Sequence, residues 1–151
     1  MHMSLPSPDL TRQPPRSPRV RLGGYALLPR MLDKGRATLA GKNGEYHYNC
    51  PNDQHFVNFV GIDPEALKKE LAQDRGDGEI LDWINANAGH KRTPAEIDAW
   101  SIYTDHRAPD NVESRAYFND LHRKVAPNRK DIVSWSDLLD LDDHVSFGGK
   151  A

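Results

Sequence analysis

The chain has 151 residues, 37% of them apolar and 28% charged, which is enough for one domain with its own core and lies outside the low-hydrophobicity regime of disorder. No run approaches the ~20 apolar residues of a membrane span, and the N-terminus lacks the apolar centre of a secretory signal. A single cysteine, Cys50, excludes an intramolecular disulfide and a cysteine-rich metal fold. A cytoplasmic protein with no membrane partner is the expectation.

The net charge of −2 hides a polarity along the chain. The first 44 residues hold eight basic side chains against Asp9 and Asp33, whereas the remainder holds 12 basic and 20 acidic residues. Eight cations spread this thinly, without an aromatic stacking ladder, argue against a nucleic-acid partner. The basic end instead suits an arm laid on the acidic body of the same molecule or of a neighbour.

Residues 1–22 carry Pro6, Pro8, Pro14, Pro15 and Pro18 and read as an extended Pro/Arg-rich arm, since each proline fixes φ and removes a donor. Residues 23–151 read as a single helical domain. After Gly23-Gly24, the leucine spacing predicts a helix from Tyr25 to Ala40 with Pro29 in its first turn, stopped by Gly41. Lys42-Asn43-Gly44 follows as a turn. Tyr46, Tyr48 and Cys50 alternate with polar residues, which in an extended segment places both phenols and the thiol on one side.

The remaining elements are helices. Pro51 to Val60 is one, with Cys50 as its N-cap. Asp63-Pro64-Glu65 opens a second, and Asp77 caps a third that Gly89 ends. Thr93-Pro94-Ala95-Glu96 is a capping box that introduces Ile97, Trp100 and Tyr103 at helical spacing. Two more helices span Ser114 to Val125 and Ser136 to Leu141. The fold class is therefore mainly all-α: a bundle of about six helices with an extended arm and room for one short strand or hairpin near Tyr46.

The segments Ser17-Pro18-Arg19, Gly23-Gly24-Tyr25, Leu28-Pro29-Arg30-Met31-Leu32-Asp33-Lys34-Gly35-Arg36-Ala37, Tyr46-His47-Tyr48-Asn49-Cys50-Pro51 with Asp53-Gln54, and Asp77-Gly78-Glu79-Ile80 resemble a bacterial family known as a domain of unknown function, DUF5069. The resemblance runs over nearly the whole chain. It implies a small bacterial domain and no particular reaction.

The candidate site must come from side-chain chemistry. A thiol at a helix N-cap lies close to unpaired amides and the positive end of the dipole, where a thiolate is favoured. Asp53 at the third helical position competes for those amides, and burial would raise the thiol pKa. An isolated cysteine also commonly just fills space. Arg30, Asp33 and Lys34 share one helical face, so Asp33 can pair with Arg30 and leave Lys34 for an anion, or the three can form an exposed face stitched by a weak ion pair. The histidines are scattered and the acidic run Asp137, Asp140, Asp142 and Asp143 lacks the glycine and glutamate of a calcium loop, so no metal and no cofactor is implied. Those aspartates read as a solvated face or as partners of the basic arm.

Two readings stay open. In one, Arg30, Asp33, Lys34, Tyr46, Tyr48, Cys50 and Asp53 line a pocket for an anionic small molecule, with Cys50 as catalytic nucleophile or soft contact. In the other, the Arg12–Arg21 arm docks on an acidic partner or on an identical subunit to make a homo-oligomer, and Cys50 only packs.

Overall fold

Proline and short capping side chains decide where the helices of this chain begin. In the computed structural model, which describes residues 7–151, they are α1 Leu28–Leu39, α2 Pro51–Val60, α3 Pro64–Leu71, α4 Asp77–Asn87, α5 Pro94–His106, α6 Val112–Val125 and α7 Trp135–Ser146. The expected all-α architecture is what forms, with seven helices among the described residues. None of them is long and apolar enough to cross a membrane.

The starts follow capping chemistry closely. Asp63 accepts from the Glu65 amide at 3.1 Å and Pro64 takes the first position of α3. Thr93 and Glu96 satisfy each other's backbone amides at 3.1 Å each, the reciprocal box expected for α5. α6 begins two residues before the expected Ser114, because Asn111 accepts from the Ser114 amide. α7 runs further than Ser136–Leu141 at both ends, capped by Ser134.

Three expectations are corrected. α1 starts at Leu28 rather than Tyr25, because Gly23 and Gly24 adopt positive φ, Leu22 and Tyr25 bond each other across that turn, and Leu27 is itself left-handed at φ 70°. The cap of α4 is Gly76, whose amide Glu79 accepts, and Asp77 is the first helical residue. No strand forms near Tyr46 among the described residues. Gly44 at φ 54° and Asn49 at φ 60° turn the chain twice, so the alternation that would align Tyr46, Tyr48 and Cys50 does not exist.

α1 lies at the centre. Leu28, Met31 and Leu32 are fully buried against Phe56 and Val60 of α2, Leu67 of α3 and Ile80 and Ile84 of α4. Yet Arg30, Lys34 and Gly35 are buried as well, so this helix has almost no solvated face. α6 meets α7 through Phe118, which packs edge-on against Trp135 with ring centroids 5.2 Å apart. In α5 Trp100 turns inward to stack on Phe59 at 4.7 Å, while Tyr103, expected on the same stripe, is 62% exposed and Thr104 is buried in its place.

Residues 1–6 of the expected arm lie outside the described residues. From Ser7 on, the arm has no helix or strand, only turns at Asp9–Arg12 and Ser17–Val20, and it is laid on the helices. Leu10 is buried, Arg16 binds Asp33 and Asp77, Arg19 binds Asp137 and Asp140, and Arg21 binds Asp105. The basic end of the chain is thus matched to carboxylates of its own body.

Two predictions follow from this packing. A Cβ on Gly35 would lie 2.6 Å from Leu71 Cδ1 and 3.1 Å from Tyr48 Cε1. Helix propensity alone makes Gly35→Ala stabilising by about 1 kcal/mol, but the overlap reverses the sign, and a loss of about 1–3 kcal/mol is expected in urea unfolding. His55, half-buried and stacked on Trp100, has its imidazole pushed down to about 4 by burial and, secondarily, by Arg107. The unfolded chain takes up that proton near pH 6.5 and the folded chain does not, so stability falls as pH drops from about 6.5 towards about 4. His55→Gln should therefore gain stability relative to the parent between about pH 7 and about pH 5; an unchanged difference across that range would refute the assignment.

Candidate functional site

Because α1 is central, every charge it carries needs a partner. Arg30 and Lys34 stand one turn apart on the face of α1 towards the turn before α2 and towards α7. Arg30 donates to Asp143 of α7 at 2.7 Å, and Lys34 Nζ meets Asp53 Oδ2 of α2 at 2.9 Å. All four of these side chains are buried.

Cys50 caps α2 with Pro51 at its first position, as the sequence indicates. Its sulfur lies 3.1 Å from Lys34 Nζ. Asp53, in turn, accepts from the Asn49 amide at 2.9 Å and the Cys50 amide at 3.4 Å. One carboxylate therefore both shapes the turn that carries the thiol and neutralises the ammonium beside it. Asp53 is only 2% exposed, so this arrangement has little freedom to relax.

Tyr46 leaves its turn in the direction of α7. Its hydroxyl donates to Asp143 Oδ1 at 2.6 Å, and the Arg30 guanidinium lies 5.5 Å from its ring centroid. Burial, with the carboxylate of Asp143 next, raises the phenol pKa. The trio Arg30, Asp143 and Tyr46 and the trio Lys34, Asp53 and Cys50 border one cavity of about 600 Å³, closed on other sides by Leu10, Leu27, Tyr117, Leu139 and Phe147. Cys50 is half-buried there.

The expected residues separate into two groups. Arg30, Lys34, Tyr46, Cys50 and Asp53 line the cavity together. Asp33 and Tyr48 do not. Asp33 accepts from the backbone amide and guanidinium of Arg16, so the expected Arg30–Asp33 pair does not form. Lys34 is not left unpaired either, being held by Asp53 and Cys50. Tyr48 points away, donating to the Pro64 carbonyl at 2.6 Å with its ring against Gly35, and burial raises its pKa too.

Asp142 and Asp143 are the residues that sequence reasoning placed elsewhere. They face the cavity from α7, and burial together with the neighbouring Asp143 raises the Asp142 carboxyl above its ordinary range. The only signal was their helical spacing with Leu139 and Ser146, which also lie on the cavity side. Asp137 and Asp140 of the same run do serve the arm, through Arg19. With Glu45, the cavity wall holds four carboxylates against two cations.

A family model described as Domain of unknown function (DUF5069) matches residues 12–145. The chain belongs to that family. Its span takes in the arm from Arg16, all seven helix starts and the cavity from Arg30 to Asp143. None of the curated proteins matches this member of DUF5069.

Asp143→Ala should be the more damaging of the cavity substitutions. It leaves the buried Arg30 charge without its counter-ion, with only the Arg16 carbonyl to donate to, and the Tyr46 hydroxyl without its acceptor, and a loss of about 3–5 kcal/mol is expected in denaturant unfolding. The pair Arg30→Met with Asp143→Leu removes both charges and should cost less than Asp143→Ala alone. Additive losses in that cycle would show that the two residues do not act as a pair.

Proposed function

We propose that this protein binds a small acidic molecule in the cavity between α1, α2 and α7, with Arg30 and Lys34 as its cationic contacts, Tyr46 beside them and the Cys50 thiol as nucleophile or soft contact. The observation that carries the reading is the buried ammonium and carboxylate of Lys34 and Asp53 beside the half-buried thiol of Cys50, at the wall of a cavity large enough for a metabolite. A structural cysteine needs no cation at 3.1 Å, and burying an ammonium beside a thiol costs desolvation that a hydrocarbon would avoid.

The four carboxylates of the wall limit what can enter. An anionic group must share a cation that already has a partner, and Lys34 offers for this the N–H beyond the two aimed at Asp53 and Cys50. That suits a single carboxylate or a carbonyl oxygen better than a phosphate, and the apolar side chains of Leu27, Leu139 and Phe147 suit an uncharged remainder of the ligand. Negative charge developing on sulfur or on an adjacent oxygen would be stabilised by the same ammonium. A lone thiol of this kind belongs in a reducing compartment, and we place the protein in the bacterial cytoplasm. The second reading, docking through the basic arm, has less support, because Arg16, Arg19 and Arg21 are engaged by carboxylates of the same chain.

Alkylation with two reagents of the same size and different charge tests the binding reading. Relative to glutathione, Cys50 in the native protein should react with iodoacetate at least as readily as with iodoacetamide. Lys34→Met should slow iodoacetate by about tenfold or more and iodoacetamide by less. A thiol that reacts with neither reagent unless denatured, or a cavity that discriminates against iodoacetate, would overturn the reading.

A further inference from the structure

We propose that oxidation of Cys50 by a hydroperoxide leads to a reversible covalent sulfur–nitrogen bond between Cys50 and Lys34, tying α2 to α1. The inference goes beyond ligand binding and does not depend on it. It rests on which groups can reach an oxidised sulfur at this position.

A hydroperoxide that reaches the half-buried thiol through the cavity converts it to a sulfenic acid: sulfur gains the terminal oxygen, the O–O bond breaks and the peroxide is reduced to its alcohol, or to water where it is hydrogen peroxide. A sulfenic acid is normally resolved by a second thiol or by a backbone nitrogen. Within the chain both routes are closed. The chain has no other cysteine. The next residue is Pro51, whose nitrogen carries no hydrogen, so the ring that a sulfenic acid closes with the following amide cannot form. Lys34 Nζ, 3.1 Å from Sγ and held there by burial, is the nucleophile in position.

An ammonium has no lone pair, so a proton must leave first. Asp53 Oδ2 at 2.9 Å from Nζ is the acceptor. The freed amine attacks sulfur, the S–O bond breaks, and the departing hydroxide leaves as water with the proton held on Asp53. The last ammonium proton passes to solvent, leaving S–NH between the two side chains. Relative to the starting protein two hydrogens are lost to oxidation and the ammonium proton is released, so the neutral mass falls by two hydrogens, and an external thiol that attacks the sulfur returns the free amine and, after a second equivalent, the free cysteine.

The cross-link would protect a sulfur that lacks a resolving partner from the irreversible sulfinic and sulfonic acids. It would also withdraw the ammonium and the thiol from the cavity at once, which under the proposed function switches the site off until a reductant restores it.

Intact-mass spectrometry of the native protein treated with about one equivalent of hydrogen peroxide tests this. The expected product is lighter than the parent by about 2 Da, yields a linked peptide pair containing Lys34 and Cys50, and reverts with dithiothreitol. Lys34→Arg, which keeps the charge but is a far poorer nucleophile, should instead gain about 16 or about 32 Da and should be trapped by dimedone as the sulfenic acid. Should that variant fail to fold, the parent protein oxidised in guanidinium chloride serves as the comparison, since Nζ and Sγ are then no longer held together. A folded parent that gains about 32 Da as readily as the unfolded chain, with no lighter species and no linked peptides, would overturn the proposal.

Discussion

The structure depends on the burial of charge along α1. Arg30, Asp33, Lys34 and Arg36 sit on a helix that also supplies Leu28, Met31 and Leu32 to the core, and each of the four is matched by a different part of the chain: Asp143 in α7, Arg16 in the arm, Asp53 in α2 and Asp77 in α4. Desolvating these groups singly is prohibitive, so α7, the arm, α2 and α4 each bring a counter-charge to α1, while α3 packs on it through Leu67 and Leu71. Each ion pair fixes where its own segment lies along α1.

Net stability is not what such pairs best provide, since buried ion pairs commonly give way to hydrocarbon at little cost. What they provide here is placement. Asp53 is held by Lys34 and simultaneously accepts from the Asn49 and Cys50 amides, so the ion pair and the turn form together. Asp77 shows the same economy at the other end of α1: its carboxylate accepts from both Arg16 and Arg36, and despite burial those bonds hold its carboxyl below the ordinary range. The arm, rich in proline and without regular structure, is fastened by these contacts rather than by backbone ladders.

The cavity is a by-product of that arrangement. The turns at Gly44 and Asn49 direct Tyr46 towards Asp143 and Tyr48 towards Pro64, so two phenols two residues apart serve opposite sides of the chain. Two residues after Tyr48, the N-cap of α2 is occupied by a thiol rather than by the hydroxyl or carboxylate that usually takes such a place. Asp53 takes the Asn49 and Cys50 amides, and the sulfur lies in contact with Lys34 at the cavity wall.

The sequence by itself determined the helical class and most helix starts, because Pro51, Asp63-Pro64 and Thr93-Pro94-Ala95-Glu96 act through bonds spanning three or four residues. It also placed Cys50 at an N-cap with Asp53 in the first turn, for the same local reason. It did not determine that α1 is central. The Arg30, Asp33 and Lys34 spacing fits an exposed, self-paired face as well as a buried one, and the choice is made by which helices cover it. The tertiary structure alone decided that Asp33 turns to Arg16, that Lys34 joins Cys50 to Asp53, and that Asp143 completes a wall more than a hundred residues away from Arg30. Side-chain pairing across segments depends on distances that only the packed chain defines, whereas a cap depends on its neighbours in sequence.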